Sequence, residues 1–101
     1  MTTETYVISG NKAVILKDPD AILDYTWDWT AYLTDIADEI EDYLMFAELP
    51  LVVESHSRNG NKITAFISGG VADTTPTVTC RIITENGRTD DRTITMKIVE
   101  R

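Results

Sequence analysis

Carboxylates are the most abundant reactive groups in this chain. Asp18 and Asp20, Asp38 and Glu39, Glu41 and Asp42, and Asp90 and Asp91 are near neighbours among 17 acidic residues. Two carboxylates on facing elements can divide acid and base work, and several on one loop can hold calcium. Neither arrangement is specified by the spacing. An EF-hand loop sets oxygen ligands at alternate positions around a central glycine, whereas Asp18, Asp20 and Asp24 lack that glycine and run into an alternating strand pattern. Nucleophilic chemistry is no better supported. His56 is the one histidine, it lies between Ser55 and Ser57 in a polar stretch read as a loop, and no GxSxG nucleophile turn occurs. Cys80 is the one cysteine, which excludes an internal disulfide and a thiolate metal cluster, and its place in an alternating run makes it a small buried hydrophobe. Gly69-Gly70 lacks the rest of a phosphate loop and reads as a turn. The expectation is no catalytic residue, no metal site and no cofactor.

Charge is unevenly spread. Asp18 to Ser57 holds eleven acids and no Lys or Arg, while Arg58 to Arg101 holds seven bases and five acids, for a formal net charge of -8. Nucleic acid is excluded as a partner, because no cluster of Lys and Arg is present to neutralise phosphates. The acidic tract reads either as a mimic of the charge on DNA or, more simply, as a solvated face. Tyr25, Trp27 and Trp29 form either a stacking platform for sugar or peptide or the centre of a core. Their alternation with Asp24 and Asp28 favours one buried and one wet face, with Trp27 inside and Trp29, at the strand end, open to both readings. Apolar runs such as Leu44 to Ala47 fall far short of the roughly 18 residues of a membrane span. The start MTTETY lacks the features of a signal peptide, so a soluble protein made in the cytoplasm, with no membrane partner, is expected.

The elements that would position these residues are short strands. Ala13 to Lys17 closes on the turn-forming Asp18-Pro19, and Ile22 to Trp29 alternates strictly. Thr34 to Ala47 is ambiguous: Ile36, Ile40, Tyr43 and Leu44 fit a helical stripe, with a short helix near 35–42 as one reading, while the second half fits a strand. Leu51 to Glu54 reads as a strand, Ser55 to Asn61 as a loop, and Lys62 to Ser68 as a strand again. Thr77 to Thr84 and Thr93 to Val99 form a hairpin across Asn86-Gly87. Leu23, Tyr25, Trp27, Val78, Cys80, Ile82, Ile94, Met96 and Ile98 occupy the apolar faces of these runs and should point inward. The fold class predicted is all-β, a single immunoglobulin-like β-sandwich of about seven antiparallel strands over residues 1–101.

Two segments carry a further signal. Lys17 to Trp29 reads KDPDAILDYTWDW; Ser68-Gly69-Gly70 is followed by the run from Thr77 and then by Asn86-Gly87-Arg88-Thr89-Asp90-Asp91-Arg92 and the rest of the chain to Arg101. Together they resemble a family of tailed-phage and prophage proteins described as fiber-tail adaptor or minor virion proteins. The resemblance covers almost the whole chain, while Asp35 to Pro50 and Pro76 depart from it. It implies an immunoglobulin-like virion protein, made in the bacterial cytoplasm, that acts by contact at the head-tail or tail-fiber junction. Its partners would be other phage structural proteins or further copies of itself. The competing reading is a small acidic binding module outside the particle, an inhibitor or a carbohydrate-binding sandwich. Loops and hairpin tips can bind without disturbing a core, which selects Asp38, Glu39, Glu41 and Asp42, and Arg88, Asp90 and Asp91, as candidate contact residues.

Overall fold

The computed structural model describes residues 6–8 and 13–100. Eight strands and one short helix follow in order: β1 (Tyr6–Ile8), β2 (Ala13–Lys17), β3 (Leu23–Asp28), α1 (Thr30–Asp35), β4 (Ile40–Ala47), β5 (Val52–Asn59), β6 (Lys62–Ser68), β7 (Thr77–Thr84) and β8 (Thr89–Ile98). They build two four-stranded sheets, ordered β1-β3-β6-β5 and β2-β8-β7-β4. In an immunoglobulin sandwich, strands A, B, E and D form one sheet and C, F and G the other. Taken in chain order, β1, β3, β6 and β5 hold the first set of places and β4, β7 and β8 the second, so the sheet order is immunoglobulin-like.

Alternation drives this arrangement. Tyr25 and Trp27 from β3, Ile63, Ala65 and Ile67 from β6, Val78, Cys80 and Ile82 from β7, and Ile94, Met96 and Ile98 from β8 are all buried between the sheets. Trp29, just beyond β3, joins them and is fully buried, so the aromatic row is core and offers no stacking platform. Each large side chain removed from water in this way contributes roughly 1.5–3 kcal/mol.

The strands and helix depart from the sequence expectations in five places. Leu23 shares the inward face of Tyr25 and Trp27 but, as the first residue of β3 where the sandwich ends, stays 45% exposed. The helix lies at Thr30–Asp35 and not near 35–42. The Asp28 carboxylate accepts a hydrogen bond from the Thr30 amide, which starts the helix early, and Ala37, at φ 51, ends it before Ile40 joins the ladder with β7. The predicted loop from Ser55 is strand, because β5 is an edge strand, wet on both sides for most of its length, and so has no alternation to read. β8 begins four residues earlier than expected, since its first inward positions are polar. Two edge pairings, β1 with β3 and β2 with β8, are parallel, and β1 is too short to show a period.

Candidate contact surface at the upper end of the sandwich

The β3-to-β4 connection with α1, the β5-β6 turn and the β7-β8 turn share one end of the sandwich, here the upper end. The β7-β8 turn closes because the Thr84 amide donates to the Arg88 carbonyl at 2.8 Å, and Gly87, at φ 84, takes a left-handed conformation. Asn86 needs no such conformation; only one of the two turn residues uses positive φ.

The start of β8 is consumed internally. Asp90 and Arg92 pair across the ladder with Ile82 and Cys80, which face the core. The Arg92 guanidinium lies 4.1 Å from the centre of the Trp29 ring and donates to the Asp28 carbonyl at 2.8 Å. Burial raises the Tyr32 phenol above its ordinary pKa, and the adjacent Asp90 carboxylate, to which it is hydrogen-bonded, raises it further. Asp91 points to the opposite face, where Arg81 donates two hydrogen bonds to its carboxylate, at 2.7 and 3.0 Å. That contact holds the Asp91 carboxyl below the usual range. The segments Asp28-Trp29 and Arg88 to Arg92, far apart in sequence, therefore meet and lock one end of the fold.

The acidic candidates divide. Asp38 was expected on a wet face with its neighbours but has a fully buried side chain. It accepts hydrogen bonds from Arg88 at 2.9 Å and from the amides of Glu39 and Asn86 at 2.9 and 3.2 Å. Burial alone would raise its pKa; hydrogen bonds from the Thr84 hydroxyl, the two amides and Arg88 outweigh this and hold the carboxyl below its ordinary value. Asp38 thus ties the α1-β4 connection to the β7-β8 turn. Glu39, Glu41 and Asp42 are exposed, and so is Arg88, with half of its side chain in solvent. A cleft of about 470 Å³ lies beside them, lined by Leu33, Thr34, Ala37, Asp38, Glu39, Asn61, Glu85 and Asn86. Glu85 and the cleft were not legible in the sequence, because the turn approaches Glu39 only through the ladder of β4 with β7.

Other reactive side chains have structural work. His56, in strand and not in a loop, shares a hydrogen bond of 2.7 Å with the Tyr43 hydroxyl across the open side of the sandwich, and Arg58 donates to the Ile40 carbonyl. The Lys17 ammonium donates to the carbonyls of Asp18 and Gly69, joining the turn after β2 to the Gly69-Gly70 turn. Burial pushes the Cys80 thiol up to about 12, so thiolate chemistry at neutral pH is suppressed. Among the described residues, no three His, Cys, Asp or Glu side chains converge as metal ligands.

Comparison with known proteins adds three findings. A family model described as the podophage GP4 fiber-tail adaptor protein gp77 matches residues 17–97. No curated protein matches the sequence. Among solved structures, the chain is similar to the solution structure of the PKD domain from the KIAA 1837 protein, at 16% identity and a TM-score of 0.48, over 99% of this chain and 91% of that one.

Proposed function

The chain belongs to the podophage GP4 fiber-tail adaptor family, a family of phage structural adaptors, and from that premise we propose that it acts without catalysis, by protein contact at the tail-fiber junction. The contact surface in this reading is the acidic rim of the upper end, with Glu39, Glu41 and Asp42 as its exposed charges and Arg88 beside them. Its partners are other structural proteins of the particle and further copies of the chain, joined after synthesis in the bacterial cytoplasm. The observation that carries the reading is the Asp38–Arg88 pair. It uses one carboxylate of the segment to fasten the rim to the β7-β8 turn and leaves its neighbours exposed on a fixed scaffold, where a negative field can steer a basic surface into register.

The test reverses Glu39, Glu41 and Asp42 to lysine and leaves Asp38 intact. Because these side chains are exposed, the variant should fold with a stability change within about 0.5 kcal/mol. It should enter particles more slowly at low salt, with the defect shrinking as salt is added, since exposed charges are screened over about 10 Å at 0.1 M ionic strength. Assembly at the wild-type rate at low salt would remove the acidic rim from the reading.

A further inference from the structure

Asparagine followed by glycine is a reactive pair. The glycine amide nitrogen, once deprotonated, can attack the asparagine side-chain carbonyl carbon, because glycine carries no Cβ to crowd the approach. The new C–N bond closes a cyclic imide, and the side-chain nitrogen leaves as ammonia. Water then opens the imide at either carbonyl, giving aspartate or isoaspartate, so the net change is loss of ammonia and gain of water with no oxidation. The chain has such pairs at Asn59-Gly60 and Asn86-Gly87. All four residues are exposed at the upper end, so access to water does not distinguish the pairs.

Hydrogen bonding separates them. The Gly87 amide donates to the Thr84 carbonyl at 3.0 Å, and the Asn86 amide donates to the buried Asp38 carboxylate at 3.2 Å. Closing an imide at Asn86 therefore breaks a turn bond at the attacking nitrogen itself and pulls on the tie to Asp38. At the other pair, Asn59 and Lys62 are ladder partners, which leaves Gly60 and Asn61 as the loop. Gly60 has φ 61 and Asn61 a negative φ, the arrangement of a type II′ turn. The Gly60 N–H has no acceptor among the described residues. Rotation at Asn59 costs only its ladder contact with Lys62, at the end of an edge strand exposed from Glu54 to Asn59, where local opening is cheap.

We propose that Asn59 is a site of spontaneous deamidation, while the fold protects Asn86. The product sets a new carboxylate beside the Gly60-Asn61 turn, which shares a recess of about 220 Å³ with Glu39 and Glu85, so the upper end gains negative charge as the protein ages. This chemistry stands whether or not that end meets a partner. The test holds the purified full-length chain at mildly alkaline pH and samples it over days. Trypsin releases Asn59 in the peptide 59–62 and Asn86 in the peptide 82–88, and tandem mass spectrometry reads the mass gain of amide to acid at each asparagine. Asn59 should convert about tenfold faster than Asn86, the rate equivalent of one ordinary hydrogen bond. It should yield both aspartyl and isoaspartyl peptides, the signature of an imide. In guanidinium chloride the bonds around Asn86 are lost, and the two rates should converge. Equal rates in the folded chain, faster conversion at Asn86 or Asn61, or a difference that persists in guanidinium chloride would each overturn the proposal.

Discussion

A carboxylate without exposed surface cannot meet a partner unless the fold opens, and so Asp38 differs in role from Glu39, Glu41 and Asp42 although all four lie within five positions. Sequence shows their charge but not that Arg88 and the Asn86 amide reach Asp38 from the far end of the chain. The same principle, burial deciding protonation, has a consequence at alkaline pH. The Cys80 thiol is pushed from 9.0 to about 12 and the Tyr25 phenol from 10.0 to about 12, in both cases chiefly by burial. A group whose folded pKa is raised contributes stability that is whole below its unfolded pKa and is lost as pH climbs towards the folded one. The contribution of these two groups to the unfolding free energy should therefore hold level up to about pH 9 and fall between pH 9 and 12, at about 1.4 kcal/mol per pH unit for each group in its window. Cys80→Ala should delay the onset of this loss to near pH 10, with the Tyr25 phenol as the remaining contributor. Urea midpoints measured across that range check this; an unchanged onset in the variant would show that Cys80 is not held neutral by the fold.

Turns expose how unequal two glycines of one element class can be. Gly87 and Gly69 both have positive φ, at 84 and 86, yet a Cβ added at Gly87 meets nothing within 4 Å, whereas at Gly69 it would lie 2.5 Å from the backbone carbonyl oxygen of Pro50. Gly87→Ala should cost about 1–2 kcal/mol, the strain of a left-handed residue. Gly69→Ala adds a backbone clash to that strain and should cost clearly more, to be read from paired urea denaturation curves; equal losses would mean that the lower-end turns shift freely. Legibility of the elements followed their burial. β6, β7 and the later part of β8 have one buried and one wet face, and their sequences alternate accordingly. β5, with His56 and Arg58 reaching across to β4 and polar residues on both sides, carries no period. Thr89 to Arg92 carries none either, because Asp90 and Arg92 turn inward to Tyr32 and Trp29. The candidate surface was legible as charge, and the ties that shape it were not, since each joins segments distant in sequence.

At the scale of the molecule, excess negative charge works against compactness. Screening should relieve it, so the melting temperature at neutral pH should rise by a few degrees between about 10 mM and 150 mM sodium chloride, over which the Debye length falls from roughly 30 to 8 Å. A fall would mean that ion pairs such as Arg81–Asp91 and Arg88–Asp38 outweigh the general repulsion. The position of β8 raises a different matter, that of time. Last of the strands in the chain, it lies inside its sheet, with β2 on one side and β7 on the other. β2 is thus translated early, and β8, its ladder partner among the described residues, is translated last. At roughly 5–20 residues per second, the interval of about 80 residues between them lasts about 4–16 s. Throughout that interval Ile15 has no strand to pair with, and Trp29 has no guanidinium over its ring. The nascent chain therefore cannot close this sheet, or cover the Trp29 ring with its guanidinium, until translation is nearly complete.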